Sequence, residues 1–554
     1  MKMNLKSKPF YLDEEAVFWV ENTLQKMATS QKIAQLFCLD IREGNDAEFS
    51  EMIDSFGGIP GGVLYRAMSL ETAHAFTTKI QNRAFVPALV VANLEKGGNG
   101  IVKEGTAFAS PMGVAATDDD EMVRKMARVC AREARAVGAN WTYSPVIDID
   151  FEYHNPITNT RTFGSDPERV ARMGKIFVET IQEEGIAATI KHFPGDGVDE
   201  RDQHLLASLN MMSCEEWDET FGKAYKASID AGALSVMAAH IMQPAYSKAL
   251  NPNLKDEEIL PGSLSKELMN GLLREKLGFN GLIVTDSTLM AGFTNAMPRN
   301  RAVPYAIEAG ADMFLFTRVA AEDFRFMKEG LETGILSEQR LEEAAMRVLA
   351  LKAAIGLHKS TKMPSVEEAR KVVGCGEHRK WAKECAEKAI TLVKEQKDVL
   401  PLKPGKRILF IPLENRYGEP KPIETKPCQA VYERLIAEGF DVEIFGAETG
   451  IPRAEKYAYI LYVANLKTRS NQTVVRIEWG AKCPHNIEEI PTIFVSLENP
   501  YHLLDIPRVK TYINCYNSND DMVEVLVDKL IGKSQFRGKS PIDPFCGKWD
   551  ARLG

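Results

Sequence analysis

Asp202 and His204 stand two residues apart at the end of a charged, glycine-rich stretch that begins Lys191-His192-Phe193-Pro194-Gly195-Asp196-Gly197. Residues i and i+2 share a face wherever a chain is extended, so the carboxylate is placed to hold the imidazole. A carboxylate–imidazole pair of this kind moves protons, and proton transfer needs a second reacting group. Asp286 is the candidate, because it ends the apolar run Leu282-Ile283-Val284-Thr285. An aspartate in that place either projects its carboxylate into a cleft as a nucleophile or caps the helix that follows. Lys191 and His192 likewise close an apolar run, 186–190, and the Pro-Gly-x-Gly after them forbids helix and turns the backbone. His192 is read either as a polar group at a strand rim or as a core histidine. His240 ends a similar run and carries the same two readings.

The elements that must hold these groups repeat along the chain. Eight short apolar segments, each ending in a polar or charged residue, occupy 36–40, 62–66, 88–93, 140–144, 188–192, 234–240, 282–286 and 313–316. Helical patterns lie between them at 119–137, 167–184, 214–231 and 265–277, after helical starts at 15–20 and 31–35. Strands alternating with helices imply parallel pairing, and nearly unbroken apolar strands imply burial on both faces. Eight units in series favour a (β/α)8 barrel over a doubly wound sheet, with the polar residues on its strand-end, catalytic face. The barrel is assigned to residues 1–358. A linker with connecting helices, including 366–372 and a helix ending in Ala389-Ile390-Thr391-Leu392-Val393, takes 359–405. A smaller α/β domain fills 406–554, with strands at 408–412, 442–445, 459–463, 492–496 and 511–515. Its clearest helices are at 429–438 and 521–531, and 541–554 reads as a loop-like tail.

Bulk properties narrow the function. The 554 residues are 45% hydrophobic and 26% charged, with no apolar run long enough to cross a bilayer. The net charge of −9 is spread among interspersed signs, which argues against nucleic acid or an anionic membrane as partner. The start of the chain is acidic by Asp13-Glu14-Glu15 and has no apolar core, so no secretory signal is expected. Nine scattered cysteines, Cys483 among them, lack any Cys-x-x-Cys and suggest reduced thiols in the cytoplasm. No Cys/His cluster has metal-ligand spacing, and Gly57-Gly58-Ile59-Pro60-Gly61-Gly62 lacks the lysine-serine ending of a phosphate loop, so neither metal nor cofactor is expected. The acidic run Asp118-Asp119-Asp120-Glu121 is read as a helix start.

Ile190-Lys191-His192-Phe193-Pro194-Gly195 followed by Asp202-x-His204 resembles the signature of glycoside hydrolase family 3, in its β-N-acetylglucosaminidase branch. Similar segments follow in order: 145–150, Asn155-Pro156-Ile157 and Arg161-Thr162-Phe163-Gly164-Ser165-Asp166-Pro167 resemble the family's barrel segment that binds sugar hydroxyls, the strand ending at Asp286 resembles its nucleophile strand, and 389–394 with Leu400-Pro401-Leu402 resembles the junction into its α/β sandwich domain. The likeness spans most of the first 400 residues. Beyond residue 405 its best remnant is Ser496-Leu497-Glu498-Asn499-Pro500-Tyr501.

The resemblance implies a retaining exo-β-N-acetylhexosaminidase that removes terminal β-linked N-acetylglucosamine from oligosaccharides or cell-wall fragments. Asp286 would be its nucleophile and His204, oriented by Asp202, its acid/base in place of the more usual second carboxylic acid. Lys191, His192 and Arg161 would donate to sugar hydroxyls, Arg161 being read alternatively as an ordinary structural ion pair. Asn93 stands where the family usually has aspartate; an amide still bonds a hydroxyl, and Glu95 shares the role. Asp196 stands where many relatives have histidine, so altered loop packing or aglycone contacts are expected. A β-glucosidase-like member and a phosphorylase are the rival enzymes, since a neutral histidine tolerates incoming phosphate better than a carboxylate would. An inactive sugar-binding protein is the non-enzymatic rival. The second domain either packs beside the barrel mouth or mediates assembly of a homo-oligomer.

Overall fold

The computed structural model describes residues 3–41, 50, 53–54, 56, 58–414, 423–446, 448–471, 477 and 486–553. Cys483 lies outside them. The chain divides into two compact units. The first holds Met1–Thr106, Arg124–Ile149 and Pro167–Gly376, and the second holds Ala107–Val123, Asp150–Asp166 and Glu377–Gly554.

In the first unit every expected strand forms. They are β1 (Phe37–Ile41), β2 (Gly62–Tyr65), β3 (Leu89–Ala92), β4 (Trp141–Thr142), β5 (Thr189–Phe193), β7 (Ser235–Ala238), β9 (Leu282–Ser287) and β10 (Met313–Leu315). A two-residue parallel ladder joins β6 (Ser208–Leu209) to β8 (Ile241–Met242). The eight main strands pair in parallel in the order β4-β3-β2-β1-β10-β9-β7-β5. Parallel bridges from Trp141 to Ala187 and from Val146 to Lys191 bring the two ends together, and the sheet closes into a barrel.

Short β4 is secured by its tryptophan. The buried indole of Trp141 donates to Thr189 Oγ1 at 2.7 Å and Ser235 Oγ at 2.9 Å, so a polar N–H inside an apolar barrel is satisfied by two other strands. Two strands carry bulges where the chemistry-bearing residues lie. The register of β5 against β7 shifts between Ile190 and Phe193, and β9 gains a residue on β10 between Val284 and Ser287. A bulge re-aims the side chains beside it, here Lys191, His192 and Asp286.

The second unit is built on a six-stranded sheet, β11-β16-β15-β14-β12-β13, parallel except for the β11–β16 pair. Its strands are β11 (Thr391–Lys394), β12 (Arg407–Leu413), β13 (Asp441–Ile444), β14 (Tyr459–Ala464), β15 (Thr492–Ser496) and β16 (Thr511–Asn514). Phe494 stacks between Tyr462 and Tyr512 at centroid distances of 5.8 and 5.6 Å, an aromatic ladder across three adjacent strands. One expectation is corrected. Thr391-Leu392-Val393 do not end a helix; the helix Gly376–Ala389 stops first and they form β11. Thr391 Oγ1 donates to the Ala389 carbonyl at 2.9 Å, and β-branched residues gain more by pairing at a sheet edge than by prolonging the helix.

Candidate active site

Because the barrel strands are parallel, residues at their C-terminal ends collect on one face. Asn93 follows β3, Lys191 and His192 lie in the outer half of β5, His240 follows β7 and Asp286 lies near the end of β9.

Two carboxylate–imidazole pairs lie in this part of the unit. His204 Nδ1 donates to Asp202 Oδ1 at 2.7 Å, and the His204 backbone N–H reaches the same oxygen at 2.8 Å. Asp202 is buried while the His204 side chain keeps 27% of its surface. With Nδ1–H engaged, Nε2 is the ring nitrogen left to exchange a proton. The second pair was not assigned from the sequence. His192 Nδ1 donates to Asp148 Oδ2 at 2.6 Å, and Asp148 Oδ1 accepts the backbone N–H groups of His192 (3.0 Å) and Asp196 (2.8 Å). Asp148 belongs to the 145–150 segment, and its carboxylate holds the His192 ring and the start of the loop. Lys191 and Glu95 also meet, Nζ to Oε1 at 2.8 Å, while Asn93 is exposed just past β3.

Asp286 is half-buried and accepts the Ser287 N–H at 2.7 Å. Burial pushes its carboxyl up, but the neighbouring imidazoles of His192, His240 and His204, together with the Ser287 N–H, outweigh that and hold it below the usual carboxylate range. Three imidazoles are therefore near enough to act on one carboxylate. His240 is a bracing group. Its Nε2 donates to the Ser287 carbonyl at 2.9 Å, which leaves Nδ1 to accept from Ser263 Oγ at 2.8 Å, and burial pushes the ring's pKa down. A deprotonated carboxylate and an imidazole locked in one tautomer are the two groups that a double displacement at an acetal carbon requires.

Arg161 lies in the second unit, at the end of the 3-10 turn Asn159–Arg161, and its Nη1 donates to the Ile157 carbonyl at 3.1 Å. The start of that turn is held by buried Asp150. Its carboxylate accepts from Thr158 Oγ1, the Asn159 N–H at 3.0 Å and the Tyr501 hydroxyl at 2.5 Å, and burial pushes it up to about 7. Among the described residues no group of three or more His, Cys, Asp or Glu side chains has the geometry to hold a metal ion, and no helix is long and apolar enough to cross a membrane.

Barrel and site together define a glycoside-cleaving enzyme of the (β/α)8 class. Residues 28–351 match the model of the glycosyl hydrolase family 3 N-terminal domain, and the chain belongs to that family. It is 48% identical, over the whole of both chains, to a beta-N-acetylglucosaminidase/beta-glucosidase of Cellulomonas fimi. A solved structure named beta-glucoside phosphorylase BglX is 45% identical and superposes with a TM-score of 0.93 over 99% of each chain. A family 3 beta-N-acetylglucosaminidase from Paenibacillus sp. str. FPU-7, at 23% identity and a TM-score of 0.78 over 94% of this chain and all of its own, shares the fold.

Proposed function

We propose that this glycosidase removes a terminal β-linked N-acetylglucosamine, and glucose as a second substrate, by a retaining double displacement. Asp286 attacks the anomeric carbon while His204 Nε2 gives its proton to the leaving oxygen. His204 then takes a proton from the incoming acceptor as the glycosyl–Asp286 bond breaks, so configuration is retained. The reading is carried by a strand-end carboxylate held below the usual carboxylate range in part by the His204 imidazole, whose Nδ1 is already engaged by Asp202. His192 and the Lys191–Glu95 pair bind sugar hydroxyls, with Asn93 a further donor at the end of β3. The substrate class is supported by the full-length relative from Cellulomonas fimi, and free cysteines at all eight described positions fit a cytoplasmic home.

A second reading makes phosphate the acceptor in the second step. It is favoured by the 45% identity to a protein named as a phosphorylase and by the base being an imidazole, which repels an incoming phosphate dianion less than a carboxylate does. One experiment tests both. Aryl β-N-acetylglucosaminide, glucoside and xyloside are assayed with and without phosphate, and the released sugar is identified. Free sugar at a rate indifferent to phosphate supports hydrolysis, and phosphate-dependent release of sugar 1-phosphate supports the second reading. Absence of turnover on all three glycosides under both conditions overturns the proposal.

A further inference from the structure

The segment carrying His204 is tied at its base and at its exit. Asn210 Nδ2 donates to the Gly195 carbonyl at 3.1 Å, and the Ser208 and Asn210 N–H groups reach the carbonyls of His240 and Met242 at 3.2 and 2.8 Å. Its middle is tied by Gln203, which sits between the two members of the pair, is fully buried, and has no part in proton transfer. Gln203 Nε2 donates to Asp196 Oδ2 at 3.2 Å, and Gln203 Oε1 accepts the His240 N–H at 3.0 Å. Asp196 is anchored in turn, since its own N–H is held by Asp148 and its Oδ1 accepts the Gly197 N–H at 2.8 Å. The Gln203 and His204 carbonyls accept from Gly292 and Ala291 at 3.2 and 3.0 Å, just beyond the Asp286 strand. A Cβ on Gly292 would come within 2.9 Å of the Gln203 carbonyl oxygen and 2.7 Å of His240 Cβ, so this close approach needs glycine.

We propose that Gln203 is a positioning residue: it latches the acid-bearing loop between Asp196 and the end of β7 and thereby sets where His204 Nε2 stands relative to Asp286. The proposal rests on the reading of His204 as acid/base. The side-chain type follows from the two anchors. One is a carboxylate oxygen that accepts and the other a backbone N–H that donates, and an amide meets both where a carboxylate or an alkyl chain does not. It also gives Asp196 its purpose. A carboxylate accepts from Gln203 and Gly197 together, so the two residues form one unit.

The test compares kcat/KM, which reports the glycosylation step, on dinitrophenyl and phenyl β-N-acetylglucosaminides. The first leaves without a proton and the second needs one. Gln203→Ala, Gln203→Glu and Asp196→Asn each break the latch: the first removes it, the second faces two carboxylates and the third faces two amide donors. Gln203→Glu combined with Asp196→Asn rebuilds it with donor and acceptor exchanged. Each single change is expected to lower the phenyl rate roughly tenfold to a hundredfold, a part of what a positioned acid contributes, and the dinitrophenyl rate by less than about threefold. The double variant is expected to recover the phenyl rate to within about threefold of the parent. Phenyl rates unchanged in the single variants, equal losses on both substrates, or a double variant no better than the worse single overturn the latch. His204→Ala separates the two layers. If it shows the leaving-group split and the Gln203 variants do not, only the latch falls; if it loses both substrates alike, the reading of His204 falls and the latch with it.

Discussion

Asp148–His192 and Asp202–His204 contain the same two chemical groups built by opposite means. The first joins residues 44 apart, on the segment after β4 and on β5, and both side chains are buried. The second joins residues two apart in one loop and leaves its imidazole partly in solvent. A buried imidazole that also shares its carboxylate with two backbone amides is a fixture: moving it disturbs three hydrogen bonds at once. An imidazole at the edge of solvent exchanges protons with whatever enters. Both act on Asp286, so one carboxylate is served by a rigid neighbour and by an adaptable one.

Removing the shared carboxylate is the harshest test of that division. Asp286→Ala is expected to cut kcat by about 10^4-fold or more on every aryl glycoside, because neither pair replaces a nucleophile. Retention of a tenth of the parent rate would mean that the two pairs serve some other group.

Truncating the two aspartates is expected to separate stability from catalysis. Asp148→Ala strands a buried imidazole and two amides and should cost about 3–5 kcal/mol, read as a lowered denaturation midpoint. Asp202→Ala should cost about 1 kcal/mol. Its phenyl glycoside rate should nonetheless fall by much of the about 10^2–10^4 that a positioned acid contributes. Equal stability losses would erase the distinction between fixture and working pair.

The smallest effect concerns pH. The neighbouring histidines hold the Asp286 carboxyl low, so taking one away raises it. In His204→Ala the acidic limb of kcat/KM on the dinitrophenyl glycoside should move to higher pH by a fraction of a unit. A limb that stays or moves down would show that the charge of His204 does not reach Asp286.

The contrast also explains what was legible in the sequence. Asp202-x-His204 could be read because the pair is closed within three residues, where chain geometry alone brings the groups together. Asp148 stood in a segment expected to face sugar, and nothing in its spacing ties it to His192. Gln203 was passed over between the two residues that drew notice, because its anchors, Asp196 and the His240 backbone, meet only when β5 and β7 are neighbours. Thr391-Leu392-Val393 shows the converse limit: an apolar helical period continues through them, and only the presence of β16 as an edge turns them into a strand.

The sequence by itself determined the barrel, since eight apolar segments with polar ends leave few other ways to bury strands on both faces. It determined as well that a carboxylate stands at the end of β9 and an Asp-x-His pair in the loop after β5. Tertiary structure decided what surrounds them. The imidazoles near Asp286 come from β5, the loop after it and the end of β7, the carboxylate behind His192 comes from the segment after β4, and the Gln203 amide reaches across to the His240 backbone; hydrogen bonds and charge act over a few ångströms of space whatever the distance along the chain.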